Sequence, residues 1–168
     1  MRLYYDLKEF VNGRGIKKAL ATLIFNPCFH SIVLFRMSNF FYRIKLAPFA
    51  KIVWYVNRLF FHVDIDYRAN IGGGFVLVHG LGVVIGRGVI AGKKLKIYQG
   101  VTLGGDQGRY IEENEKKFWM PIIGDNVTIY TDAKIFGPVR IADNVKIKAN
   151  EIVTSDMFNE GIIQNDKN

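Results

Sequence analysis

Aliphatic residues recur at every sixth position from residue 65 to residue 153. The residues that share this position are Ile65, Ile71, Leu77, Ile85, Ala91, Ile97, Leu103, Ile123, Ile129, Ile135, Ile141, Ile147 and Val153. A second apolar series lies four residues later, as at Ala69, Phe75 and Leu81, and small or polar residues fill the corners. This period fits neither a helix nor an alternating strand. It is typical of a parallel β-helix, in which each unit is one short strand and one tight corner, and it predicts roughly four to five coils of three strands.

Two interruptions break the repeat, and both are predicted to push backbone outward from the β-helix. The first adds two residues between Leu77 and Ile85 and contains His79. The second is a longer segment that covers residues 104–121. Because loops on a rigid scaffold concentrate binding and catalytic residues, functional side chains are expected in these two segments.

The first 62 residues follow a helical pattern instead. Asn26-Pro27 is an N-cap residue followed by a proline in the first turn, which predicts the start of a helix. Ala47-Pro48 separates that helix from a second one. The predicted fold is therefore mainly β, with these parts: an α-helical segment (1–62), a β-helix domain (63–157) with a loop at 104–121, and a polar tail (158–168).

Composition narrows the classes of site that the chain can carry. Cys28 is the one cysteine among 168 residues, which excludes a disulfide framework and a cysteine-rich metal site. We predict no metal. No signal peptide is recognised at Met1, and the longest uncharged run, residues 19–35, is marginal in length for crossing a bilayer.

The net charge of +8 is concentrated in the helical segment, where ten Lys and Arg residues face only Asp6 and Glu9. One interpretation is that these helices pack on the β-helix and on neighbouring subunits. Another is a peripheral contact of residues 1–62 with an anionic membrane, since basic amphipathic helices bind such surfaces. No nucleic-acid motif accompanies the charge, so nucleic acid is not predicted as a partner. The predicted location is the cytoplasm, with the inner face of the cell membrane as the alternative.

Several motifs resemble those of one enzyme family. They are Val63-Asp64-Ile65, Ile71-Gly72-Gly73-Gly74, the run from His79 to Gly86, and Gln99-Gly100-Val101-Thr102-Leu103-Gly104-Gly105. In this order they resemble hexapeptide-repeat acyltransferases, and among these the serine acetyltransferases and their relatives in polysaccharide biosynthesis. The resemblance covers about residues 26–157. It implies a left-handed β-helix, a homotrimer, and acetyl-CoA as co-substrate.

The resemblance also implies roles for individual residues. His79 matches the general base that takes the proton of the acceptor hydroxyl, and Asp64 matches the carboxylate that orients it. A neutral imidazole suits the first role, and a carboxylate partner steadies the imidazolium that forms. The backbone N–H groups of Gly104 and Gly105 are candidates for stabilising the oxyanion. Candidate cations for the phosphates of CoA are Lys134, Lys146 and Lys148, with Arg140 also available.

The chain departs from the serine acetyltransferase pattern at three positions. Met120 stands where the family has a second histidine, and Val78 and Asn26 stand where it has acids that bind the amino group of serine. An ammonium without a carboxylate would be bound poorly, which disfavours serine. Tyr110 and Trp119, together with Met120, are candidate contacts for a sugar acceptor.

These observations predict an acetyl-CoA-dependent O-acetyltransferase that acts on a sugar hydroxyl of a capsular or other surface polysaccharide. Two alternatives remain open. One is a serine O-acetyltransferase of cysteine biosynthesis, and the other is a non-catalytic β-helix scaffold. The presence of both Asp64 and His79 argues against the scaffold, because a scaffold needs neither residue.

Overall fold

The computed structural model describes residues 2–158, and the predicted polar tail lies outside this range apart from Phe158. Four helices come first: α1 (Arg2–Val11), α2 (Gly15–Phe25), α3 (Pro27–Arg43) and α4 (Ala47–Phe61). The start of α3 is as predicted, because Asn26 Oδ1 accepts a hydrogen bond from the Phe29 N–H at 3.0 Å. The sequence pattern did not separate α1 from α2.

Thirteen short strands stack in parallel to form three sheets. The first sheet has the order β1 (Asp64–Ile65), β4 (Val84–Ile85), β7 (Thr102–Gly104), β12 (Lys134–Phe136), β15 (Ile152–Val153). The second has the order β13 (Arg140–Ile141), β10 (Ile122–Ile123), β5 (Ile90–Ala91), β2 (Asn70–Ile71). The third has the order β14 (Lys146–Ile147), β11 (Thr128–Ile129), β6 (Lys96–Tyr98), β3 (Val76–Val78). Successive strands visit the three sheets in turn, which gives just over four coils and confirms the predicted parallel β-helix.

The aliphatic column forms the core, since each of its thirteen members is at most 5% exposed. One companion position was predicted wrongly. Leu81 is 62% exposed, while Val83 is fully buried and occupies the place expected for Leu81. The two added residues at this corner move Leu81 outward, and the series resumes two positions later.

The second interruption forms an antiparallel hairpin that projects from the β-helix. Its strands are β8 (Ile111–Glu113) and β9 (Lys116–Phe118). The hairpin leaves the first sheet after β7 and returns to the second sheet at β10.

A buried ion pair joins the helices to the first coil. The Arg36 guanidinium donates to both carboxylate oxygens of Asp6, at 2.8 and 3.0 Å, and to the carbonyl oxygens of Ile71 and Gly72. The Asp6 carboxylate also accepts from the N–H groups of Gly74 and Phe75, both at 2.8 Å. Asp6 is fully buried, so this network fixes α1 and α3 against the glycine-rich corner after β2.

Candidate active site

His79 lies at the corner that connects β3 of the third sheet to β4 of the first sheet. Its backbone has φ of 55°, in the left-handed region, and its side chain is exposed. The next residue, Gly80, donates its N–H to Cys28 Sγ at 3.3 Å, which ties this corner to the start of α3. The added residues therefore present His79 on the outside of the β-helix, next to the helices.

A cleft of about 730 Å³ extends from His79 between the β-helix and the first two helices. Its charged lining residues are Glu9, Arg14, Lys18 and Lys96. Glu9 is held loosely, with its Oε1 3.5 Å from the Nζ of Lys94 in a partly exposed ion pair. The cleft thus combines an imidazole with a carboxylate and a guanidinium.

Sequence reasoning missed Glu9 and Arg14, because they lie about 70 residues before His79 and belong to no motif. Their place in the cleft depends on how α1 and the turn after it pack on the first coil. The one available signal was that Glu9 is one of two acids in a strongly basic segment.

In this chain Asp64 contacts two residues of α4. Its Oδ1 accepts a hydrogen bond from Trp54 Nε1 at 2.9 Å, and its Oδ2 lies 3.1 Å from the Arg58 guanidinium. Arg58 also stacks over the Trp54 ring at 5.7 Å from its centroid. Within residues 2–158 no hydrogen bond joins Asp64 to His79, and each oxygen of the carboxylate contacts a residue of α4.

The three residues predicted to contact a sugar acceptor lie together at the corner between the first and second sheets, whereas His79 lies at the corner between the third and first sheets. The rings of Tyr110 and Trp119 are 6.0 Å apart, and both stand at the base of the hairpin. Met120 packs closely against Gly105. A methyl group added to Gly105 would lie only 3.2 Å from Met120 Cε. Trp119 and Met120 line a cleft of about 570 Å³ that does not include His79.

Gly104 and Gly105 lie at the end of β7. The Gly104 carbonyl accepts from the Gly137 N–H at 3.0 Å, whereas the Gly105 N–H has no backbone acceptor among the described residues. Gly105 therefore has the free donor that an oxyanion site requires.

The candidate CoA lysines do not form a cluster. Lys134 lies in the first sheet and donates its Nζ to the Asp132 carbonyl at 3.1 Å, whereas Lys146 is exposed in the third sheet. Lys148 follows β14, where its backbone N–H bonds to Glu151. Arg140 is paired with Glu113 of the hairpin. Over residues 2–158 no group of three His, Cys, Asp or Glu side chains is arranged to hold a metal ion.

Comparison with known proteins identifies related enzymes. The chain is 33% identical over 148 residues to serine acetyltransferase of Synechococcus elongatus, covering 88% of this chain and 58% of that protein. It is 37% identical over 153 residues to serine acetyltransferase of Staphylococcus aureus, covering 90% and 69%. No family model matches the chain.

Solved structures agree with these relatives. The structure of Neisseria gonorrhoeae serine acetyltransferase in complex with serine superposes with a TM-score of 0.80 at 31% identity, covering 92% of this chain and 61% of that one. The left-handed β-helix with an N-terminal helical region is thereby confirmed. The chain spans 51% to 58% of the length of three of the curated relatives that it matches.

The predicted polysaccharide acceptor is wrong, because the curated relatives and the structural neighbours are serine acetyltransferases. That prediction depended on the missing acids at Val78 and Asn26. It assumed that an acid could come only from the motif positions, whereas α1 also brings a carboxylate, that of Glu9, into the cleft that extends from His79. These relatives likewise give no support to the predicted role in capsule synthesis.

The hexapeptide column, the His79 corner and the helices that cover it match these relatives over most of the chain. Identity of 37% extends over more than two thirds of the Staphylococcus aureus enzyme. The chain therefore belongs to the serine acetyltransferase family of hexapeptide-repeat, left-handed β-helix acyltransferases.

Proposed function

We propose that this chain transfers the acetyl group of acetyl-CoA to the side-chain hydroxyl of serine. The observation that carries the proposal is His79, exposed at the corner where the cleft begins. Its imidazole offers the serine hydroxyl a base, and Glu9 and Arg14 add charges of both signs to the same cleft. A related enzyme from Neisseria gonorrhoeae has been solved in complex with serine, which supports the same acceptor.

In the proposed reaction His79 acts as the general base. The serine oxygen attacks the carbonyl carbon of the thioester, and the imidazole accepts the hydroxyl proton as the C–O bond forms. The tetrahedral intermediate then collapses with cleavage of the C–S bond. The imidazolium returns its proton to the departing thiolate, and the products are O-acetylserine and CoA.

Two further groups support this step in the proposal. The Gly105 N–H stabilises the oxyanion, since its amide has no backbone acceptor among the described residues. Asp64 orients the imidazole by exchanging its contact with Arg58, a half-exposed partner, for one with His79. Because acetyl-CoA is a cytoplasmic metabolite, we expect the reaction to take place in the cytoplasm.

We also propose a homotrimer as the active form. His79 lies at the corner between the third and first sheets, whereas Gly105 and Met120 lie at the corner between the first and second sheets. The width of the first sheet separates these corners in one chain. A neighbouring subunit can bring its own Gly105 corner to His79 and complete the site.

The expected mass in solution is three times the 19.2 kDa chain mass. Light scattering after size exclusion measures it. Full serine-dependent activity in a monomer at assay concentration would contradict a site that is shared between subunits.

Glu9→Gln tests how serine is recognised. Glu9 packs on Gly74 and pairs with Lys94, across the width of the third sheet from His79. Its substitution is therefore expected to raise KM for serine less than about fivefold, because a partly exposed ion pair is worth about 1 kcal/mol or less. KM for acetyl-CoA is expected to change little. Steady-state release of CoA at varied serine concentration measures both constants.

Lys94→Gln is the matched control. It removes the ion-pair partner of Glu9 but leaves the carboxylate in place. If Glu9 acts only by holding Lys94, the two variants should behave alike. A rise in KM for serine of more than about 10-fold in Glu9→Gln alone would contradict this placement and would mean that the carboxylate contacts serine.

A further inference from the structure

The helical segment has an apolar groove on its outer side. Residues from all four helices line it, among them Leu3, Leu7, Leu23, Val33 and Phe61, around a volume of about 740 Å³. His30 closes one side, with its Nε2 2.8 Å from the Leu23 carbonyl oxygen. The groove contains almost no polar lining, so water in it makes few hydrogen bonds with protein.

An exposed apolar stripe on α2 continues from this groove. Ile16, Leu20 and Leu23 repeat at helical spacing and are 77%, 52% and 46% exposed. Thr22 is the one buried residue of α2 among those described. A helix that is apolar on nearly every side is normally buried, so α2 has a partner that this single chain does not supply.

The charge next to the groove and stripe is positive. Lys8 follows Leu7 on α1, and Lys17 lies between Ile16 and Lys18 on α2; Lys8 and Lys17 are exposed. The two acids of residues 1–62 are already engaged. Asp6 is buried against Arg36, and Glu9 is paired with Lys94 and lines the charged cleft.

The positive charge beside the groove and stripe favours some binding partners of this surface over others. A contact between the helical segments of two copies would bring the same basic segment, with ten cations and two acids, against itself. No single helix within residues 2–158 has the length and hydropathy to cross a bilayer. Helices α2 and α3 have sufficient length and hydropathy only when taken together, and they are bent by 71° relative to each other. The helix α3 also buries Phe29, Ile32 and Phe35 in the protein. An anionic bilayer surface matches both the apolar side chains and the positive charge.

We propose that the groove and the α2 stripe together form a lipid-binding surface that docks the protein peripherally on an anionic membrane. The apolar side chains enter the interfacial region, while Lys8 and Lys17 contact lipid headgroups. This inference is independent of the acceptor and of the chemistry at His79, because it rests on residues outside that cleft.

Vesicle sedimentation with the full chain tests the proposal. Vesicles of phosphatidylglycerol and phosphatidylcholine are expected to bind the protein at low salt, pure phosphatidylcholine vesicles much more weakly, and added salt should weaken binding. Lys8→Gln with Lys17→Gln is expected to weaken binding about 30-fold, from about 1 kcal/mol for each cation at the surface. Absence of binding by the wild-type chain, or equal binding to both vesicles, would overturn the proposal.

Lys116→Gln with Lys117→Gln is the control, since it removes two charges from the hairpin instead. This hairpin variant should change vesicle binding less than about twofold. If it weakened binding as much as the Lys8 and Lys17 variant does, binding would depend on net charge alone, and the proposed surface would be wrong.

Leu20→Gln tests the apolar contribution and should weaken binding several-fold, because it removes an exposed side chain from the stripe. If Leu20→Gln leaves vesicle binding intact and lowers the molecular mass in solution, the stripe is a contact between copies and the proposal is wrong.

Discussion

His79→Asn is expected to abolish acetyl transfer, lowering kcat by about 10²- to 10⁴-fold, the usual contribution of a positioned general base. Without the imidazole, the serine hydroxyl loses the base that is positioned to accept its proton during attack. Asparagine is chosen because His79 has φ of 55°, and asparagine adopts this conformation more readily than most residues. The loss is therefore chemical and not a result of backbone strain.

His62→Asn is the matched control for this variant. His62 is also exposed and also left-handed, with φ of 53°; it caps the C-terminal end of α4, and its carbonyl oxygen accepts from the Gly82 N–H at 3.0 Å near the same corner. The same substitution there keeps this backbone contact and should leave kcat within about twofold of wild type, because the His62 imidazole is not the proposed base. A general base usually contributes at least about 100-fold to the rate. If His79→Asn kept more than about a tenth of the wild-type kcat, the loss would be too small for a general base, and His79 would not have that role.

Asp6→Asn is expected to lower the free energy of unfolding by about 3–5 kcal/mol, because it leaves the buried Arg36 guanidinium without its counter-charge. Asp6 is fully buried, and the Arg36 side chain is 9% exposed. Asparagine Oδ1 can still accept from Gly74 and Phe75, whereas its amide nitrogen replaces the oxygen that accepts from Arg36 Nε, so the variant removes both the charge and that hydrogen bond. Urea unfolding at a fixed protein concentration measures the change, since subunit association also contributes to stability.

Asp106→Asn serves as the comparison for Asp6→Asn. Asp106 pairs with Arg109 at 3.6 Å, and both side chains are nearly half exposed. Such a surface pair contributes about 1 kcal/mol or less. Equal destabilisation by the two variants would show that the Asp6–Arg36 pair does not fasten the helices to the first coil.

The β-helix was predictable because its core depends on one repeated interaction. Each aliphatic residue of the column stacks on its equivalents one coil away, as Ile97 does on Leu77 and Ile129, so the period in the sequence is the period of the structure. Leu81 was misplaced because an insertion at a corner shifts the register within a few residues. Which residue re-enters the column, here Val83, depends on the path of the corner.

The cleft was only partly predictable. His79 could be found because the corner motif is local in sequence. Glu9 and Arg14 could not, since their position follows from the packing of α1, which is set by a buried ion pair between residues 30 positions apart. The contacts of Asp64 with Trp54 and Arg58 depend likewise on where α4 ends.

The error in the predicted acceptor has the same origin. Val78, Asn26 and Met120 were compared with motif positions, and their chemistry was taken as the chemistry of the whole cleft. A side chain from a distant helix can supply the charge that a motif position lacks. Excluding a ligand from missing motif residues therefore requires the structure around the site.

The measurement that tests the account most directly is the product formed from acetyl-CoA and L-serine by the purified full chain. We predict equimolar CoA and O-acetylserine, identified by mass spectrometry, and no product from the His79→Asn variant. Serine analogues that lack the amino or the carboxyl group should react poorly. The absence of O-acetylserine from a folded wild-type protein, over a full range of serine and acetyl-CoA concentrations, would contradict the proposed function.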